Sequence, residues 1–163
     1  MLTHLRNPAA KEFAKVVELA QGQSNTTAKI RGFSTNVSNY NPFHALVEEP
    51  YTEGSNSYDE NNYALSLAPH LEAAGLPANF IIDQGRVAAP GAREEWGEWC
   101  NIAPAGYGIA PGSTTNNTHV DSIVWVKPGG ESDGECGYEG APPAGEWFTE
   151  YAALLVENAS PLI

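Results

Sequence analysis

The run "ANFIID", residues 78–83, is nearly continuous in apolar side chains and only as long as a strand. A strand without polar alternation is expected to be buried on both faces, and such strands belong to parallel sheets covered by helices. This run constrains the fold more than any other feature. Two further strands accompany it: "AKIRGFSTNV" (28–37), with Ile30 and Phe33 as apolar members, and "DSIVWV" (121–126). Helical periods surround them. Asn7 and Pro8 read as N-cap and first helical position, then Phe13, Val16, Val17 and Ala20 recur at helical spacing until Gly22. Asp59 reads as the cap of a second helix with Tyr63, Leu65, Leu67 and Leu71 on its apolar side and Gly75 at its end. Pro69 inside that helix predicts a kink or a late start. "AGEWFTEYAALLVENA" (144–159) is the last helix, with Trp147, Phe148, Tyr151, Leu154 and Leu155 facing inward. The stretch 84–118 reads as loop, with one helical turn at Ala92–Trp96.

The order α-β-α-β-loop-β-α implies parallel strands with helical crossovers. Each strand runs into a polar segment: Thr35 to Asn41, Asp83 to Arg86, and Lys127 to Cys136. Three buried strands are few for a covered sheet, so two architectures fit: part of a larger α/β barrel, or a small complete α/β domain. The 163 residues form one domain with no internal repeat. A net charge of −12, from 20 acidic and 8 basic residues, disfavours nucleic acid and anionic membrane surfaces as partners. A neutral or cationic ligand suits it better. No apolar run is long enough to span a bilayer, and "MLTHLRNPAAKEF" lacks the apolar core of a signal peptide. Cys100 and Cys136 could form one disulfide or remain two buried thiols. Sequons at Asn25, Asn36, Asn116 and Asn158 lean toward a secreted protein.

Three clusters could carry chemistry. In "KPGGESDG" (127–134), Lys127 leaves the strand, Pro128 to Gly130 turn the chain, and Glu131 and Asp133 follow two apart. A lysine beside carboxylates suits a general base or an acceptor for hydroxyls; a solvated acidic loop has the same composition. In "EEWGEWC" (94–100), Trp96 and Trp99 lie among carboxylates, a composition fit for stacking on a sugar face or for pinning the loop to the core. In "TNVSNYN" (35–41), three asparagines end a strand, where amides can bind hydroxyls or fill a turn. His44 and His119 lack metal-ligand spacing, so neither a metal nor another cofactor is expected.

Four segments, "RGFSTNVSNYN", "FIIDQGR", "EEWGEWCNIAPAGYGI" and "DSIVWVKPGGESDG", together resemble the C-terminal half of the catalytic domain of glycoside hydrolase family 6, the cellobiohydrolases and endoglucanases. The resemblance covers nearly the whole chain. It implies part of a distorted, parallel-stranded α/β barrel that hydrolyses β-1,4-glucan with inversion, with cellulose or related glucan chains as partner and no protein partner. By the same resemblance Asp133 falls at the proposed catalytic base, Lys127, Glu131 and Asn39 at substrate-binding positions, and Trp99 at a sugar-stacking position. Cys100 and Cys136 match a disulfide that ties the tryptophan loop to the base loop. Glu135 has no counterpart role.

The family's catalytic acid lies upstream of the first helix, so the resemblance implies a partial product of a secreted parent, inactive alone or limited to weak glucan binding. Half a barrel would also expose two strand edges. Finally, only Gly134 and Glu135 separate Asp133 from Cys136. At about 3.3–3.6 Å per extended residue that link reaches little more than about 10 Å, too short to roof a tunnel. The expectation is an open, endoglucanase-like cleft; a cellobiohydrolase parent is the alternative.

Overall fold

The computed structural model describes residues 6–23, 29–112 and 114–160. Its elements are α1 (Arg6–Gly22), β1 (Phe33–Thr35), a 3-10 turn (Pro50–Thr52), α2 (Glu60–Ala73), β2 (Phe80–Asp83), β3 (Val120–Val124) and α3 (Thr149–Glu157). The three strands form one parallel sheet in the order β1-β2-β3. β2 is central, with Phe33 opposite Phe80 on one side and Ile82 opposite Ile123 on the other. Sequence-adjacent strands are therefore spatial neighbours; α2 makes the crossover from β1 to β2, whereas the connection from β2 to β3 has no helix among the described residues.

Two apolar clusters hold the elements together. The larger packs Ala64, Ala68 and Leu71 of α2 and Ala10 of α1 against Phe80, Ile82 and Ile123 of the sheet. The smaller gathers Tyr151 and Leu155 of α3 with Phe148, Tyr40 and Ala105. Gly32 permits close approach before β1: a Cβ there would stand 2.1 Å from the Asn79 carbonyl oxygen. Asp59 caps α2 as expected, its Oδ1 accepting the Asn62 N–H at 2.8 Å. Gly75, at φ +75°, ends the helix in the left-handed region, where glycine meets no Cβ penalty.

Several expectations shift. α1 already includes Arg6, so Asn7 lies within the helix instead of capping it, and Pro8 sits in the first turn, where it withholds no needed N–H. Only Arg6 and Ala10 of α1 are buried; Phe13, Val16 and Leu19 are more than half exposed and Ala20 is exposed. The helical period holds, with Ala14 and Val17 partly buried against the core, but among the described residues the rest of this apolar face is uncovered. The expected first strand, 28–37, contracts to Phe33–Thr35; Ala28 lies outside the described residues, and Ile30 is exposed. On α2 the small residues Ala64 and Ala68 face the sheet and allow close packing, while Leu65 points outward. Ile81 of β2 is 36% exposed, so the strand is not buried on both faces within the described residues. Ala92–Trp96 form irregular chain with a bend, not a helix. Trp147 precedes α3 and is exposed, because residues 145–147 pair back onto Glu131 and Ser132.

Leu71, buried, and Leu65, exposed, on α2 provide a check. Leu71→Ala should lower unfolding free energy by about 2–5 kcal/mol through a buried cavity, and Leu65→Ala by under about 1 kcal/mol. Urea denaturation of both variants measures the contrast; equal losses would contradict the orientation of the helix.

Candidate active site

The polar segments after the strands meet at one end of the sheet. Asn36 follows β1 at φ +59°, and its Nδ2 donates to the carbonyls of Asn41 at 2.7 Å and Asp83 at 2.8 Å. One amide thus ties the β1 loop to the end of β2. Gln84, fully buried, accepts from the Phe43 N–H at 2.9 Å and donates to the Asn41 carbonyl at 3.2 Å. Asp83 accepts from the Gly85 and Lys127 amides, which fixes where β3's following loop begins.

Arg86 is the hub. It is 2% exposed and donates four hydrogen bonds: from Nη1 to Asp133 Oδ2 at 2.6 Å and the Tyr40 hydroxyl at 3.2 Å, and from Nη2 to the Gly129 and Glu131 carbonyls at 3.0 and 2.7 Å. Its guanidinium also lies 5.1 Å from the Tyr151 ring centre. Burial works against its charge, but Tyr40, Tyr151 and Asp133 outweigh that, and its pKa is raised. Burial and the neighbouring Tyr40 likewise raise Tyr151, so its hydroxyl stays protonated and donates to the Ile102 carbonyl at 2.7 Å.

The Asp133 side chain is 3% exposed. Beyond Arg86, its Oδ2 accepts the Asn101 N–H at 2.9 Å, and its Oδ1 lies 3.1 Å from Lys127 Nζ. Lys127 also lies 3.3 Å from Glu131 Oε1, whose side chain is 36% exposed. The cluster expected from "KPGGESDG" is therefore real: one lysine spans two carboxylates, one deep and one facing water. Gly129 is required for it, since a Cβ there would stand 2.3 Å from the Tyr107 hydroxyl.

The Cys100–Cys136 disulfide is formed, with Cα atoms 5.9 Å apart. Beside it Asn101, fully buried, accepts the Asp133 N–H at 2.9 Å and donates to the Gly134 and Cys136 carbonyls at 2.8 and 3.0 Å. The tryptophan loop and the Asp133 loop are thus joined twice. The two tryptophans separate: Trp96 packs edge-on against Tyr51 at 5.1 Å, whereas Trp99 is 56% exposed. The asparagines separate too. Asn36 and Asn41 serve the scaffold, and Asn39 accepts through Oδ1 from Arg93 and from the Tyr40 N–H. Glu135 is exposed. His119 meets the Ala78 carbonyl, and no three potential ligands converge on a metal site among the described residues. Two sequon asparagines, Asn36 and Asn158, have their amides engaged in hydrogen bonds, Asn116 is exposed, and Asn25 lies outside the described residues.

Sequence reasoning did not single out Arg86, Arg93, Asn101 or Gln84. Arg86 and Asn101 lay within quoted motifs, directly beyond "FIIDQG" and "EWC". Their partners are 47 and 32 residues away, so no local pattern marked them.

Parallel strands, the first two joined through a helix, with a polar loop cluster beyond their ends, fit the plan of an α/β barrel, of which this sheet is a section. The family model "Glycosyl hydrolases family 6" matches residues 3–159, and the chain belongs to that family. It is 67% identical over 155 residues to the 1,4-beta-D-glucan cellobiohydrolase CEL6B of Podospora anserina, covering 95% of this chain and 37% of that protein. It superimposes on the endoglucanase CEL6B from Humicola insolens with a TM-score of 0.88 at 53% identity, covering 97% of this chain and 45% of that one. Cellobiohydrolase II (CEL6A) from Humicola insolens, solved in complex with glucose and cellotetraose, matches with a TM-score of 0.86 at 42% identity over 97% of this chain and 47% of its own. The chain spans 33–42% of the length of the first curated relatives it matches.

Two outcomes follow from the buried charges. Arg86→Met should cost about 3–5 kcal/mol, because it leaves a buried carboxylate short of a partner, and the double change Arg86→Met/Asp133→Asn should cost less than the sum of the single changes. Additive losses in chemical denaturation would contradict the pairing. Burial also raises the pKa of Glu60 above its ordinary 4.5, more than the Asn41 hydrogen bond lowers it. The folded chain then holds this proton more tightly than the unfolded chain, so Glu60 destabilises progressively as pH rises from 4.5 through its folded value. Glu60→Gln should match the parent below that window and gain stability relative to it above. A difference independent of pH would show that Glu60 does not titrate there.

Proposed function

We propose that this chain is the base-side half of an inverting β-1,4-glucanase site, residues 1–163 forming the C-terminal half of the catalytic domain. The observation that carries the reading is Asp133, a carboxylate buried between Arg86 and Lys127 beside an exposed tryptophan. In this reading Asp133 takes the proton of the water that attacks the anomeric carbon. Its burial suits transfer through an intervening water instead of direct contact with the sugar. Lys127, Glu131 and Asn39 bind glucan hydroxyls, and Trp99 stacks on a pyranose face. Inversion needs a second carboxyl group across the bond to protonate the leaving oxygen. By resemblance to the family, that acid belongs to the upstream half of the catalytic domain. A disulfide persists in oxidising surroundings, which supports a secreted protein.

The cleft is open beside Asp133. Gly134 and Glu135 alone lead to Cys136, and the chain after it folds back low: Ser132 accepts the Gly145 N–H through its carbonyl and donates from Oγ to the Pro142 carbonyl. These bonds hold residues 142–146 against Ser132, which supports reading the segment as too short to roof a tunnel. An open cleft admits the middle of a chain, which is endoglucanase action. The name of the Podospora relative favours a second reading, release of cellobiose from chain ends.

Fusion to the upstream half of the Podospora relative supplies the test. On carboxymethylcellulose the chimera should drop viscosity quickly per reducing end formed. Cellobiose release with nearly constant viscosity would establish the second reading. The 163-residue chain by itself should release no measurable reducing sugar, since losing one general acid typically costs about 10²–10⁴-fold. Turnover by the pure chain would overturn the division of the site into halves.

A further inference from the structure

Arg93 is 5% exposed, yet no carboxylate among the described residues lies within ion-pair distance of it. A buried cation of this kind is costly unless its N–H groups are fully used. Arg93 directs two of them at asparagines: Nη1 donates to Asn39 Oδ1 at 3.0 Å, and Nη2 donates to Asn41 Oδ1. Its guanidinium lies 5.3 Å from the Tyr51 ring centre and 5.9 Å from that of Trp96. Asn41 is held in turn by Glu60, whose Oε1 accepts from Asn41 Nδ2 at 2.9 Å. One side chain therefore clasps the loop after β1, the 3-10 turn and the tryptophan loop. A planar fork can bridge two carbonyl oxygens while stacking on rings; a lysine cannot.

The consequence falls on Asn39. Its Oδ1 accepts twice, from Arg93 and from the Tyr40 N–H at 2.8 Å. That decides which way the amide faces. Nδ2 is left with no hydrogen-bond partner among the described residues, so both its N–H bonds are unspent. Trp99 lies three residues beyond Trp96, on the loop that the same clasp holds.

We propose that Arg93 is a positioning residue that presents Asn39 solely as a hydrogen-bond donor, toward a hydroxyl oxygen of a neutral glucan, and fixes the Trp99 loop relative to it. This deepens the glucan reading and rests on it for the ligand. It assigns the polarity of the contact: Asn39 gives, and the sugar oxygen accepts. An aspartate at that position would still satisfy Arg93 and the Tyr40 N–H, but would turn the donor into an acceptor.

The test uses the 163-residue chain with the Asn39 side-chain amide assigned by ¹⁵N NMR, and cellotetraose as the probe. In the free protein, Arg93→Met should move the Asn39 amide pair toward random-coil shifts and speed its exchange with water. Arg93→Lys, which keeps the charge, should restore neither. An Asn39 amide unchanged in both variants overturns the proposal whether or not glucan binds; should the Met variant fail to fold, the Lys variant decides alone. In titrations, Asn39→Asp should weaken cellotetraose binding about tenfold, the scale of one well-made hydrogen bond, with thermal stability kept or raised. Arg93→Met should weaken binding in the Asn39 parent but add little in the Asn39→Asp background. Full binding by Asn39→Asp would overturn the donor assignment. No cellotetraose binding by the unmodified chain would overturn the glucan reading itself and the sugar as Asn39's acceptor, while the free-protein amide signal still judges the clasp.

Discussion

Everything at the mouth of this sheet depends on one buried guanidinium. Arg86 reaches Asp133, two carbonyls of the loop after β3 and a tyrosine hydroxyl, and it lies over the ring of Tyr151 on α3. Without it the loop from Gly129 to Asp133 would hold two inward-facing carbonyls and a carboxylate with too few donors, a costly state in a low-dielectric interior. The pair itself need not stabilise the chain more than an apolar pair would. What it supplies is definition: four hydrogen bonds from one planar group leave the Asp133 loop a single arrangement relative to β2.

Around that hub the remaining constraints act in series. Asp83 and Asn36 fix the strand ends against each other, Asn101 and the Cys100–Cys136 bridge bring the tryptophan loop to Asp133, and Arg93 brings the same loop to Asn39. Each brace joins segments more than thirty residues apart in sequence or crosses between strand-end loops. The ordered loops are thus held by polar side chains spent on backbone groups, which is how irregular chain is kept rigid without a sheet ladder. Among the described residues the exposed Trp99 indole and the half-buried Asn39 amide nitrogen take no part in this bracing, which leaves them available to a ligand.

Much of the scaffold was legible in the sequence because it is local. The cap at Asp59, the stop at Gly75 and the parallel order of the strands follow from turn chemistry and periodicity. "KPGGESDG" announced its cluster because Lys127, Glu131 and Asp133 lie within one short loop. Burial was harder to read: Phe13, Val16, Leu65, Ile81 and Trp147 are apolar and sit at plausible core positions, yet are exposed. Which side of an element faces the core depends on what packs there, and for Leu65 the neighbouring alanines won because they allow a closer approach. Arg86 and Arg93 escaped notice for the opposite reason. An arginine in a loop reads as surface charge until its distant partners are known, and the resemblance pointed to residues that touch substrate rather than to those that hold them.

The central claim is that Asp133 activates the attacking water. The direct measurement is azide rescue of Asp133→Ala in the chimera with the Podospora upstream half. Azide needs no base, so it should attack the anomeric carbon as the leaving sugar oxygen is protonated. The account predicts near-complete loss of hydrolysis without azide and, with it, restored bond cleavage yielding an α-glycosyl azide by NMR. Near-normal hydrolysis by Asp133→Ala, with no azide adduct, would contradict it.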